Sequence, residues 1–333
     1  MKNAYENGVY MESDHEAIHI LDQFLPDRIF DVHAHIHDSS YAPVVQIASY
    51  GVEQYKKDLL PILDGRRFCM NLIPFPFSSM KERQNLKQSD DYLVAQLEQN
   101  SNTVGEIMVT PADTTESLMK RLVHPRIRGF KCYHIYSDLQ NTWNAQIGDY
   151  LPEAAWQVAN EKKLCITLHM VKDDALADPG NLRYITEMAK RYPDAILILA
   201  HAARSFASWT GVESVEKVAH LDNVWFDFSA VCESPAMVQI IRKTGTQRCM
   251  WGSDYPVCMD RGKAISIGNS FYWINKNDLA NFQSKTTMSS YLVALENLMA
   301  VRQACILSDL GHKEVEDIFY GNAKSLFGVD PAF

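Results

Sequence analysis

The chain has no excess of positive charge. Its 333 residues carry 32 Lys and Arg against 41 Asp and Glu, a net charge of −9 with a pI near 5.7. Such a surface offers no basic field to phosphates or anionic lipid, which excludes nucleic acid as an expected partner. Long apolar runs are missing as well. No stretch reaches the roughly 18 residues of a membrane span, and the first 28 residues are interrupted by His15, Glu16, Asp22 and Asp27. The expectation is a protein with no signal peptide and no membrane segment. The seven cysteines are odd in number and contain no C-x-x-C pair, and Cys69, Cys132, Cys165 and Cys249 lie in apolar runs. That usage fits buried thiols in a reducing cytoplasm.

What is present is apolar material, 47% of the residues, enough to bury roughly three-quarters of the unfolded surface. It is distributed periodically. Short β-branched or apolar runs occur at Ile29–His35, Phe68–Ile73, Val104–Val109, Ile127–Tyr133, Leu164–His169, Ala195–His201, Val224–Phe228 and Arg248–Asp254. Their starts are spaced by about 31 residues on average, the size of one βαβ step. Helix punctuation falls between them. Asp113 to Glu116 has the spacing of a capping box, Asp178-Pro179 and Ser234-Pro235 set a capping side chain before a first-turn proline, and Gly245 supplies a stop. Eight alternating units predict a closed parallel sheet, a TIM (β/α)8 barrel occupying residues 29–333. Two pieces fall outside the repeat. Residues 1–28 read as a helical extension that closes the barrel bottom, and Tyr255–Thr287 reads as a long loop after the eighth strand, with Phe271, Tyr272 and Trp273. Val315–Phe327, followed by Gly328, reads as the last outer helix.

The strand ends carry the chemistry. Ile29-Phe30-Asp31-Val32-His33-Ala34-His35 closes in two histidines on one face of a strand, since side chains alternate with period two. Each can offer a nitrogen to a metal at roughly 2.0–2.1 Å. The fifth strand ends in His169, the sixth in His201 and the eighth in Asp254. Lys131, within the fourth strand, is a charge that burial penalises unless it is paired or neutralised. Glu106 on the third strand is a candidate ion-pair partner for Lys131. Asp31 shares the parity of His33 but lies deeper, which suits a structural hydrogen bond. His37 and His134, just past strand ends, read as solvated loop histidines or substrate contacts.

Together these motifs resemble the amidohydrolase superfamily, most closely the branch called amidohydrolase family 2. The resemblance runs from Asp31-Val32-His33-Ala34-His35 to Tyr320-Gly321-Asn322-Ala323-Lys324-Ser325-Leu326-Phe327. It implies that His33, His35, His169, His201 and Asp254 hold metal, and that Lys131 corresponds to a lysine that some relatives carboxylate to bridge two ions, with Glu106 as the alternative bridge because other relatives use a glutamate. The expected cofactor is one or two divalent cations, with zinc favoured by the nitrogen-rich set, and no organic cofactor. The expected reaction is hydrolysis of a small carboxylated ester, lactone or amide, with Asp254 as base toward the attacking water and His201 polarising the carbonyl. Arg204, Tyr133 and Arg261 are the expected substrate-binding residues, the two arginines clamping a carboxylate with Trp251 nearby. The alternative is a metal-dependent decarboxylase of an aromatic or unsaturated acid. The expected partner is a small-molecule substrate, with a second copy of the chain left open.

Overall fold

The computed structural model describes residues 10–42, 48–275, 277–278 and 290–329. Eight parallel strands form one sheet in sequential order: β1 (Arg28–Ile36), β2 (Arg67–Pro74), β3 (Thr103–Met108), β4 (Ile127–Cys132), β5 (Cys165–Leu168), β6 (Ile196–Leu199), β7 (Val224–Asp227) and β8 (Cys249–Met250). Beyond β8 the chain returns to β1. Val32 N–H donates to Trp251 O at 3.2 Å, Asp254 N–H to His33 O at 2.8 Å, and His35 N–H to Tyr255 O at 2.8 Å. This is a TIM barrel, and its strands are buried on both faces because helices cover the outside.

The punctuation acts largely as its chemistry dictates. Helix α1 spans Glu12–Asp22, α2 Val52–Leu63, α3 Arg83–Gln99, α4 Thr115–Arg121, α5 Glu153–Lys162 and α6 Pro179–Arg191. Asp178 caps α6 by accepting from Asn181 N–H, and proline occupies the first turn, where an N–H has no partner to lose. The box before α4 is one residue later than expected: Thr114 and Ser117 exchange the reciprocal bonds, and Asp113 instead accepts from Thr110, Ser117 and Arg121. Further along come α7 (Ser208–Ser214), α8 (Pro235–Thr244) and α9 (Val293–Leu307). Gly245 ends α8 at φ +71°, where a side chain would be strained. The stretch after β8 contains an antiparallel hairpin, β9 (Gly262–Ile267) with β10 (Ser270–Asn275); residues 276 and 279–287 of the expected loop lie outside the described residues.

Two expectations about the ends of the barrel are corrected. Helix α1 does not plug the bottom. It lies along the flank against α9, with Tyr10 O–H donating to Asp58 O on α2 at 2.7 Å. The plug comes from the other terminus. Tyr320, Ala323 and Phe327 pack with Phe30, Val32, Cys69, Val104, Cys165, Ile198 and Met250, the lower interior layer, and the rings of Phe30 and Phe327 stack at 5.4 Å. The segment read as a final outer helix instead breaks at a wide turn over Asp317–Gly321 and folds underneath as the short helix Asn322–Phe327. Asn322 fixes it by donating to Thr246 O and Cys249 O, at 2.7 and 2.8 Å.

Candidate metal centre

The upper interior is polar where the lower is apolar. A bulge in β1 between Asp31 and Ala34 makes this possible. Simple alternation would put Asp31 on the His33 face. The irregularity lets Phe30 and Val32 face the lower core while His33 and His35 still point inward at the mouth. Asp31 turns outward, accepting from His33 N–H, Ser253 N–H and Tyr55 O–H at 3.0, 2.9 and 2.7 Å. Its role is the structural hydrogen-bonding one, although the parity argument fails. Gly252 completes the fit: a Cβ there would stand 2.7 Å from the His33 Cβ.

Each histidine has its ring oriented by a partner on the far nitrogen. His33 Nδ1 donates to Asp227 Oδ2 at 2.9 Å, and His35 Nδ1 donates to the carbonyl of Ile73 at 3.2 Å. With hydrogen on Nδ1, the lone pair of each ring sits on Nε2. Those two nitrogens converge on one oxygen, Asp254 Oδ1, at 3.6 and 3.3 Å. Three electron-rich atoms thus face one another in a buried site, within 4.8 Å overall. A cation relieves that repulsion, and the donor set of two imidazoles and a carboxylate fits a divalent metal. Burial and the charge of Lys131 push the His33 imidazole down to about 3, which keeps its lone pair available at neutral pH.

His201 and His169 stand on the adjoining wall. His201 Nδ1 donates to Ser229 O at 3.1 Å, leaving Nε2 toward His169 Nδ1 at 3.1 Å. His169 Nε2 faces Arg204 Nη1 at 3.5 Å. Tyr133 lies with its ring centroid 4.4 Å from that of His169, and burial together with the Asp254 charge pushes its hydroxyl up to about 12. Arg204 is 8% exposed, its guanidinium carbon lies 5.3 Å from the Trp143 ring and 5.5 Å from that of Phe271, and among the described residues no carboxylate is within ion-pair distance.

Lys131 Nζ reaches His33 Nε2 at 3.0 Å, and burial lowers its pKa. The expected Lys131–Glu106 ion pair is not formed. Glu106 Oε1 accepts from Asn71 at 2.7 Å and Thr167 at 2.8 Å, while Oε2 is buried without a partner. Burial outweighs these bonds and the Lys131 charge, raising the carboxyl to about 7.

Eight of the nine residues expected from the sequence come together here: His33, His35, Lys131, Tyr133, His169, His201, Arg204 and Asp254. Arg261 does not. It pairs with the buried carboxylate of Asp14 on α1 and donates to Ser290 O at 2.7 Å, so it ties the flank of the barrel and forms no clamp with Arg204. Trp251 is likewise structural, its Nε1 donating to Asn297 Oδ1 at 3.0 Å. His37 and His134 are buried, contrary to the solvated reading; His37 is enclosed by Tyr41, Tyr50 and Phe77, and His134 Nδ1 meets Thr142 Oγ1 at 2.9 Å.

Asp227 and Ser229, at the end of β7, were not singled out from the sequence. Asp227 binds His33 Nδ1 and accepts from the backbone N–H of His201 and Ser229 at 3.1 and 2.9 Å, thereby holding two strands of the site. Burial alone would raise its carboxyl, but His33, His201 and Ser229 hold it well below the usual range. The available signal was an acidic residue closing an apolar strand, the same signal that marked Asp254.

A closed barrel with convergent histidines and an aspartate at the C-terminal mouth fits a metal-binding enzyme scaffold. Residues 30–329 match the model of the amidohydrolase family Amidohydro_2, and the chain belongs to that family. Among solved structures it is similar to an amidohydrolase from Burkholderia multivorans with bound zinc (14% identity, TM-score 0.57, covering 91% of this chain and 99% of that one). It is also similar to the 5-carboxyvanillate decarboxylase of Sphingomonas paucimobilis (13%, TM-score 0.57, 92% and 100%) and the 2,6-dihydroxybenzoate decarboxylase of Rhizobium (12%, TM-score 0.56, 91% and 99%). No curated protein matches. The chain is an enzyme of this family, and among the described residues no helix is long and apolar enough to cross a membrane.

Proposed function

We propose that the protein is a metal-dependent hydrolase of a small carboxylated ester, lactone or amide. The observation that carries the reading is the convergence of His33 Nε2, His35 Nε2 and Asp254 Oδ1, each ring held by a hydrogen bond on its far side. His33, His35 and Asp254 would hold the ion, with His169 and His201 adjoining. A divalent metal bound there, zinc for preference, supplies Lewis acidity and a water of pKa about 7.

The chain's own groups supply the rest. Asp254 Oδ2 is the carboxylate oxygen free to orient a water and take its proton, then return it to the leaving group. His201, with Nδ1 donating to Ser229 O, turns the lone pair of Nε2 toward His169 Nδ1 at 3.1 Å, so it would serve as an adjoining ligand to the ion, and polarising the carbonyl would require a proton on that nitrogen. Among the described residues Arg204 is a buried guanidinium without an acid partner, and such a charge is costly unless an anion joins it. A substrate carboxylate is that anion, and Tyr133 lines the same wall.

The same arginine supports a second reading, loss of carbon dioxide from an aromatic or unsaturated acid, because that reaction too begins with a bound carboxylate. A panel of carboxylated lactones, esters, amides and benzoates, assayed for acid release and for carbon dioxide, separates the two. Under the hydrolase reading Asp254→Asn keeps its fold by circular dichroism and loses about 10²–10⁴-fold in turnover. Wild-type turnover in that variant defeats the role of Asp254, and carbon dioxide as the product defeats hydrolysis.

A further inference from the structure

Four consecutive residues after β6 have left-handed backbone angles. His201 has φ 58° and ψ 48°, Ala202 51° and 46°, Ala203 60° and 41°, and Arg204 has φ 59°. None is glycine. Ser205 N–H donates to His201 O at 2.9 Å, which closes one turn of left-handed helix. L-residues resist this conformation because Cβ crowds the following carbonyl, and single visits are the rule. Ala202 and Ala203 are fully buried, so no solvent contact rewards the geometry.

The turn is held from outside. Asp227 Oδ1 accepts from His201 N–H at 3.1 Å, and Ser205 Oγ donates back to Ala202 O at 2.6 Å. Its two ends then meet one ring. His201 Nε2 faces His169 Nδ1 at 3.1 Å, and Arg204 Nη1 faces His169 Nε2 at 3.5 Å. An extended exit from β6 would send residues 201 and 204, three apart, to opposite faces, whereas the turn brings both to one imidazole.

We infer that the left-handed turn through Ala202 and Ala203, held by Asp227 and Ser205, is a positioning element: it sets His201 and Arg204 against opposite nitrogens of His169 and makes the Arg204 guanidinium a fixed anion subsite. The inference rests on Arg204 binding the substrate carboxylate. Strain is tolerated here because looseness in a binding group degrades function more than it degrades folding.

The test uses benzoate as the anion probe, benzamide as its uncharged match, and the variants Ala202→Gly, Ala203→Gly, their double and Ser205→Ala. Ala200→Gly is the control, since Ala200 is equally buried but has no left-handed φ to relieve. Each single glycine at 202 or 203 should melt about 2–4 °C above Ala200→Gly, because glycine adopts the turn freely. Ser205→Ala, which removes the bond to Ala202 O, should bind benzoate at least about fivefold more weakly than wild type by calorimetry, with Ala200→Gly and the double glycine variant unchanged. Glycine variants no more stable than the control, or a Ser205→Ala variant that binds benzoate like wild type, overturn the inference. The underlying reading fails separately. If Arg204→Gln leaves benzoate affinity unchanged, or if wild type binds benzamide as well as benzoate or binds neither, Arg204 is not the carboxylate group and the inference falls with it.

Discussion

Lys131 Nζ lies 3.0 Å from His33 Nε2, the nitrogen that also turns toward Asp254. An amine and a metal compete for that lone pair, so a loaded site requires Lys131 to release it. Burial already favours the neutral amine, which weakens repulsion of an incoming cation. We expect one ion per chain by inductively coupled plasma mass spectrometry, on protein purified without chelators or a metal-affinity tag. Lys131→Met should retain it. A fall from two ions to one in that variant would instead give the lysine a bridging role.

Asp227 never meets the three convergent donor atoms, yet it fixes the tautomer of His33 and tethers His201. Asp227→Asn keeps the shape but offers an amide where a carboxylate stood. Zinc affinity should fall about 10–100-fold by competition with a chromogenic chelator, with the far-ultraviolet dichroism unchanged. An unaltered affinity would show that the ring of His33 holds its orientation by packing alone.

Glu106 gives a pH dependence whose sign can be worked out. Its carboxyl rises from an ordinary 4.5 to about 7 in the fold, chiefly through burial. Between those values the unfolded chain has released the proton and the folded chain keeps it, so stability falls as pH rises through this window and the penalty is complete above about pH 7. Urea denaturation of metal-stripped protein should show Glu106→Gln gaining on wild type from about pH 5 to about pH 7, then keeping a constant margin. A margin that does not change with pH would mean that Glu106 is ionised throughout.

Arg261 should matter for stability and not for substrate. Its partner Asp14 is fully buried, and breaking such a pair leaves an uncompensated charge. Arg261→Met should destabilise by about 3 kcal/mol with metal content and benzoate affinity intact. A loss of benzoate affinity with no loss of stability would return Arg261 to the substrate site.

Phe327 tests the plug. Phe327→Ala removes the ring stacked on Phe30 and should cost about 3–5 kcal/mol through the cavity it leaves under the barrel. A cost under about 1 kcal/mol would mean that the C-terminal segment covers the core without sealing it.

The periodic part of the architecture was legible because apolar runs recur at one interval, and the site was legible because the first, fifth, sixth and eighth runs end in a residue too polar for them and those ends share one mouth. His33, His35, His169, His201 and Asp254 could be read in that way. What escaped was whatever depends on a break in periodicity or on distance along the chain. The bulge that turns Asp31 outward leaves no mark in a pattern of alternate residues, and the pairing of Asp14 with Arg261 spans 247 positions. The plug escaped for a related reason: Tyr320, Ala323 and Phe327 have helical spacing whether they cover the outside or the bottom. Asp227 was visible and passed over, because a carboxylate that orients a ligand looks in sequence like any other.

The C-terminal plug and the return of β8 to β1 have a consequence for biogenesis. His33 and His35 leave the ribosome about 220 residues before Asp254, and the layer beneath them is sealed by Tyr320, Ala323 and Phe327, later still. Pairing across that separation is slow to form and comes late. A chain still being synthesised therefore holds two histidines but no complete chelate. An ion held by His33, His35 and Asp254 would therefore be acquired by the finished polypeptide, and truncation before Tyr320 would remove the floor of the barrel on which those strands rest.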